Sequence, residues 1–127
     1  MTSQRFAGIA GATAGFLTVL LGAFGAHALA PRVDAHAMEV WHTATLYQGL
    51  HALALLTLAQ AAPAGAQRLR RVSAWGFVVG LVLFCGSLYA LALDAPRWVG
   101  MLTPLGGLAW MIAWVTLGVA HWRGPDR

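Results

Sequence analysis

The chain has 127 residues, 59% of them hydrophobic and only 9% charged, against about a quarter charged in a soluble domain. Eight arginines and no lysine stand against four acidic residues, for a net charge of +4. The arginines are dispersed along the chain instead of gathered into a patch, which excludes a basic nucleic-acid groove. All of these charges lie outside four apolar runs, Phe6 to Ala30, Thr43 to Ala62, Val72 to Leu93 and Val99 to Trp122. Together the runs leave no room for a separate soluble module.

The first run follows Arg5 and ends in Ala26-His27-Ala28-Leu29-Ala30. A cleavable signal peptide has a 7 to 15-residue apolar core, so a run of about 24 uncharged residues reads instead as a membrane helix. Asp34 is placed to cap a second helix that begins at Ala35, before the apolar run, and passes through Trp41. Pro63-Ala-Gly65 is expected to end that helix, and Asp94-Ala-Pro96 the third. Thr103-Pro104 leaves two readings: Pro104 opens the fourth helix with Thr103 as its cap, or it kinks a helix that starts near Arg97. Trp41, Trp75, Trp98 and Trp122 fall where interfacial aromatics anchor helix depth. The expectation is one all-α domain, residues 1–127, a four-transmembrane-helix bundle with spans of about 6–30, 40–62, 72–93 and 99–122.

Orientation follows from the arginines. Arg5, Arg68, Arg70, Arg71, Arg123 and Arg127 lie on one side of the predicted spans, and Arg32 and Arg97 on the other. The positive-inside rule then places both termini in the cytoplasm. Gly8, Gly11, Gly15, Gly22 and Gly25 step along one stripe of the first helix, and Gly76 with Gly80 forms a second small-residue motif in the third. Such stripes let helix backbones approach closely where lipid gives no hydrophobic drive. Packing inside the bundle is the favoured use of these stripes and homodimerisation the alternative.

Tyr47, Gln48 and His51 share one face of the second helix, with His51 eight residues into its apolar run. An ionisable ring at membrane depth marks a functional face, or is a neutral imidazole satisfied by Ser87 or by a carbonyl near Pro104. His27, Ser87 and Thr103 are candidates for the same network.

Other chemistries lack their parts. A carboxylate di-iron site needs several Glu, and Glu39 is the only one in the chain. Only His27 and His42 pair at similar depth for haem, and nothing else marks such a site. The spacing of His27, Asp34, His36, Glu39 and His42 matches no metal signature. Ser87 or Cys85 with His51 lacks an oriented base and an oxyanion site. No enzyme activity, metal or cofactor is therefore expected. The single cysteine, Cys85, excludes an internal disulfide.

Four blocks carry a family resemblance: Gly22-Ala-Phe-Gly-Ala-His27-Ala-Leu29, Tyr47-Gln-Gly-Leu-His51-Ala-Leu-Ala-Leu-Leu56, Gly86-Ser-Leu-Tyr89, and Thr103-Pro-Leu-Gly-Gly107 followed by Trp114. They resemble the domain-of-unknown-function 423 family, to which the eukaryotic transmembrane protein 256 belongs. The blocks come in family order, one per helix, over nearly the whole chain. Cys85 departs from the pattern, which has a serine or another small residue there. The resemblance implies a small four-helix integral protein of the bacterial plasma membrane with no established activity, substrate or cofactor. It also implies that the polar members of the blocks, His27, Tyr47, Gln48, His51, Ser87 and Thr103, converge on a small pocket open to the extracytoplasmic side.

Two functional classes follow. The favoured one is a non-enzymatic structural or accessory bundle, or one that binds lipid or another apolar ligand, with the lipid bilayer as its surroundings and a homodimer or larger membrane complex as its setting. The alternative is a small transporter or channel, dimeric, that uses His51. No span holds an acidic residue, which counts against proton-coupled transport.

Overall fold

The computed structural model describes residues 1–60 and 66–123. The expected helix end at Pro63-Ala-Gly65, the last residues of the second predicted span and the terminal Arg127 lie outside them. The described residues are all-helical: α1 (Ser3–Leu29), α2 (Ala35–Gln60), α3 (Gln67–Ala92) and α4 (Arg97–Arg123). Thr2 caps α1 by accepting from the Arg5 N–H, and Asp34 caps α2 as expected, its Oδ1 accepting from Ala37 N–H at 2.8 Å. The last turn of α1, Gly25–Leu29, and a turn within α3, Leu81–Cys85, are π-helical.

α3 stops at the expected place. Asp94 takes a left-handed φ of 68°, Asp94 N–H bonds to the Leu91 carbonyl and Ala95 N–H to the Ala90 carbonyl. That is the Schellman closure, made with an aspartate where glycine is usual. α4 opens with a 3₁₀ turn over Arg97–Met101 and continues as α-helix from Leu102, so Pro104 sits in the first α turn, where its missing N–H costs little. The helix thus starts at Arg97, as in the second reading of Thr103-Pro104, while Pro104 falls in the first α turn, close to the place the first reading gave it.

Three helices, α1, α3 and α4, are long and apolar enough to cross a membrane; α2 is not among them. The expectation of four such spans is corrected on this point. The reason is visible in α2 itself. Its 26 residues include Gln48 and His51 among the buried side chains, and these lower its hydropathy while facing the protein interior. Large apolar side chains such as Phe16, Val19, Leu53, Val82 and Val115 are exposed on the outside, the inverse of a water-soluble surface.

α1 and α2 form one antiparallel hairpin and α3 and α4 another, with α2 and α3 meeting between them. Phe6 stacks on Trp75 at 4.6 Å, and Ser3 Oγ lies 3.5 Å from Gln67 Oε1, so α1 and α3 start at the same end. Arg5, Arg68, Arg70, Arg71 and Arg123 gather at that end, and Arg32, Asp34, Asp94 and Arg97 at the other. At the first end the Arg70 Nε and Nη1 are buried and have no hydrogen-bond partner among the described residues.

The glycine stripe of α1 divides in the structure. A Cβ at Gly11 would lie 3.0 Å from the Ala52 carbonyl, and one at Gly25 2.5 Å from Trp41 Nε1, while Gly8 has room at 3.6 Å from Ala59. Gly15 and Gly22 meet nothing within 4 Å, so the five do not act as one packing seam. Gly76 and Gly80 both face α4, against Ala113 and the Trp110 indole. Trp41 also differs from expectation. It is 2% exposed inside the bundle, whereas Trp75, Trp98 and Trp122 lie on the surface.

Candidate functional site

Several polar side chains in this bundle bond to main chain on a neighbouring helix. Trp41 Nε1 donates to the Leu21 carbonyl at 2.9 Å, Gln48 Nε2 to Ala14 at 3.1 Å, Ser73 Oγ to Ala113 at 2.9 Å and Trp110 Nε1 to Phe77 at 3.2 Å. The Cys85 thiol reaches the Ala44 carbonyl at 3.4 Å. Each ties two helices together without placing a charge at depth, and each satisfies a donor that lipid would leave bare.

The six residues expected to form one pocket fall into separate places. His27 is exposed on the final turn of α1 and joins none of the others. Gln48 forms the first group: its Oε1 accepts from the Tyr89 hydroxyl at 2.8 Å while its amide holds α1, so one carboxamide bridges α1, α2 and α3. Ser87 and Thr103 form the second, with 2.6 Å between hydroxyls. Since Ser87 donates to the Phe84 carbonyl at 2.9 Å, the consistent assignment has Thr103 donate to Ser87. Tyr47 and His51 belong to the third. Among the described residues no hydrogen bond joins the three groups.

The third group is aromatic. His51 is 2% exposed and stacks on Trp110 with centroids 3.7 Å apart and planes 5° from parallel. Its Nδ1 lies 2.7 Å from the Tyr47 carbonyl and must donate there, which leaves Nε2 as the acceptor for Trp114 Nε1–H at 3.3 Å. Both ring nitrogens are thus occupied and the imidazole is neutral in this arrangement. The Tyr47 ring lies 11° from the Trp110 plane at 5.9 Å, and Phe84 packs against both.

These rings border a lateral opening. No Cα of α2 comes within 8 Å of one in α4, and the gap is bridged by side chains alone. It forms a groove of about 490 Å³, with Tyr47, Leu50 and His51 on one side, Pro104, Gly107, Trp110, Met111 and Trp114 on the other, and Phe84 of α3 behind. That volume lies within the range of small-molecule sites, and its largely apolar lining is typical of them. Sequence reasoning selected Tyr47 and His51 but missed Trp110, Trp114 and Phe84. Their signal was the four-residue spacing of the two tryptophans beyond Gly106-Gly107, which puts them on one face of α4.

Residues 21–107 match the family model described as Protein of unknown function (DUF423). The chain is 42% identical over 129 residues to the UPF0382 inner membrane protein YgdD of Escherichia coli strain K12, covering 97% of this chain and 93% of that one. It is 40% identical over 117 residues to the UPF0382 membrane protein YwdK of Bacillus subtilis strain 168, covering 88% and 92%. A UPF0382 membrane protein of Haemophilus influenzae is 37% identical over 115 residues, covering 91% and 92%. No solved structure matches.

Proposed function

The chain belongs to the DUF423 family and is a multi-pass inner-membrane protein, and from that premise we propose a non-enzymatic four-helix bundle that holds a lipid or another apolar ligand in the groove between α2 and α4. The observation that carries this reading is the groove itself: about 490 Å³, aromatic-walled, and located where the backbones of two helices stay apart. His51 supports a binding role over a gating one, because both of its nitrogens are already engaged.

In this reading α2 is the fourth crossing. It runs antiparallel to α1 over 26 residues, and its polar groups are turned inward and bonded, so its modest hydropathy does not force it out of the membrane. The arginine-rich end faces the cytoplasm.

The test is native mass spectrometry of protein purified in mild detergent. The parent chain is expected to retain an apolar molecule that Gly107→Leu loses, since position 107 borders the groove and a Cβ there has 4.0 Å of clearance from Phe84. Equal retention by folded Gly107→Leu would remove the groove from consideration.

A further inference from the structure

Two of the grooves that open sideways from this bundle differ in chemistry. The one between α1 and α3, about 250 Å³, has aliphatic walls, and its polar members Gln48, Cys85 and Tyr89 are all bonded within the protein. The groove between α2 and α4 has an aromatic wall on which the Tyr47 and Trp114 rings are partly exposed, backed by the buried His51–Trp110 stack, to which Tyr47 lies nearly parallel. Tyr47 is 39% exposed, and its hydroxyl has no hydrogen-bond partner among the described residues.

Tyr47 lies near the midpoint of α2. A phenol at that depth gains from an acceptor, and an acyl chain supplies none. A flat ring gains more from these exposed aromatic rings than a flexible chain does, because aromatic pairs add to simple area burial. Building on the groove-binding reading above, we infer that the α2–α4 groove selects a lipid with a flat, conjugated, carbonyl-bearing ring, the chemistry of a quinone headgroup on an apolar tail. The ring lies along Trp114 beside Tyr47, a ring carbonyl accepts from the Tyr47 hydroxyl, and the tail leaves past Met111 into the bilayer. His51 supplies no bond to the ring, because its nitrogens are committed to Tyr47 and Trp114; its part is to hold Trp110 flat.

The experiment uses the full chain in phosphatidylcholine nanodiscs free of quinone. Retention of radiolabelled decyl-benzoquinone is compared with that of decylbenzene, which has the same tail and a ring without carbonyls, and empty nanodiscs are subtracted. Saturable quinone binding is expected, weakened about tenfold by Tyr47→Phe, the loss of one hydrogen bond in a water-free site. Decylbenzene should bind more weakly and ignore that substitution. Gly107→Leu fills the groove and should abolish binding of both, and Met111→Trp, which narrows it from its exposed side, serves if Gly107→Leu does not fold. Quinone binding unaltered by Tyr47→Phe, or decylbenzene binding as tight as quinone, overturns the ring selectivity and leaves a groove for apolar chains. If neither filling variant alters retention of either ligand, the groove reading falls with it.

Discussion

Gln48 shows how a single polar residue is used at depth. Its carboxamide gives an N–H to the Ala14 carbonyl and takes the Tyr89 O–H, so three helices are registered by one uncharged side chain. In membrane bundles such interhelical bonds are each worth about 0.6 kcal/mol on average and at most about 1.7, because the separated helices also find partners. Gln48→Leu is therefore expected to lower stability by about 1–2 kcal/mol, with part of the cost arising from the Tyr89 hydroxyl left unpaired. Tyr89→Phe should cost less, and in the double variant the two effects should fall short of additive by about 1 kcal/mol. Reversible unfolding in mixed micelles measures this, and full additivity would mean that the 2.8 Å bond contributes nothing. The sequence identified Gln48 and His51 as inward-facing because spacing along α2 determines the face. It did not identify their partners. An imidazole is satisfied equally by a hydroxyl, a carbonyl or an indole N–H, and only the separation of α2 from α4 brings Trp114 to Nε2 in place of the expected Ser87 or a carbonyl near Pro104.

Between elements, close approach depends on which glycines face a neighbour, and spacing alone does not decide that. Gly15 and Gly22 share the period of Gly11 and Gly25, yet they face open space. The stripe is broader than the contact, since α1 packs closely against α2 but meets α3 only slightly and α4 not at all. The outcome differs for Gly80. A Cβ there would run into the Trp110 indole, and that ring is fixed by its bond to the Phe77 carbonyl and by the stack on His51. Gly80→Ala should thus destabilise the bundle by about 2–3 kcal/mol, near the upper part of the usual overpacking range. Gly22→Ala should be neutral or slightly stabilising, as expected for alanine in an open helical position. Thermal unfolding of the two variants in the same detergent checks the pair. Comparable losses would show that α1 uses its whole stripe, through a contact outside the single chain. The same logic accounts for Trp41. Its place near the predicted interface suggested an anchor, but Gly25 removes the side chain that would have kept the indole out of the bundle.

For the molecule as a whole, the pairing of hairpins ties topology to charge. α1 and α3 begin at one end, α2 and α4 run back toward it, and five arginines among the described residues gather there, against Arg32 and Arg97 at the other. The sequence made this legible because arginines punctuate the runs; it overestimated α2 because an unbroken absence of charge is not the same as high hydropathy. If α2 crosses the membrane with its polar groups satisfied inside, the chain has four crossings and the positive-inside rule sets one orientation. Single cysteines in a Cys85→Ser background test this with a membrane-impermeant maleimide on spheroplasts. Ala95→Cys and His36→Cys should label at once, whereas Ser3→Cys and Gln67→Cys should label only after permeabilisation. Labelling of Gln67→Cys together with His36→Cys would mean that α2 stays on one side and three helices cross. The reverse pattern at all four positions would keep the four crossings and invert the molecule, setting its arginine-rich end against the positive-inside rule.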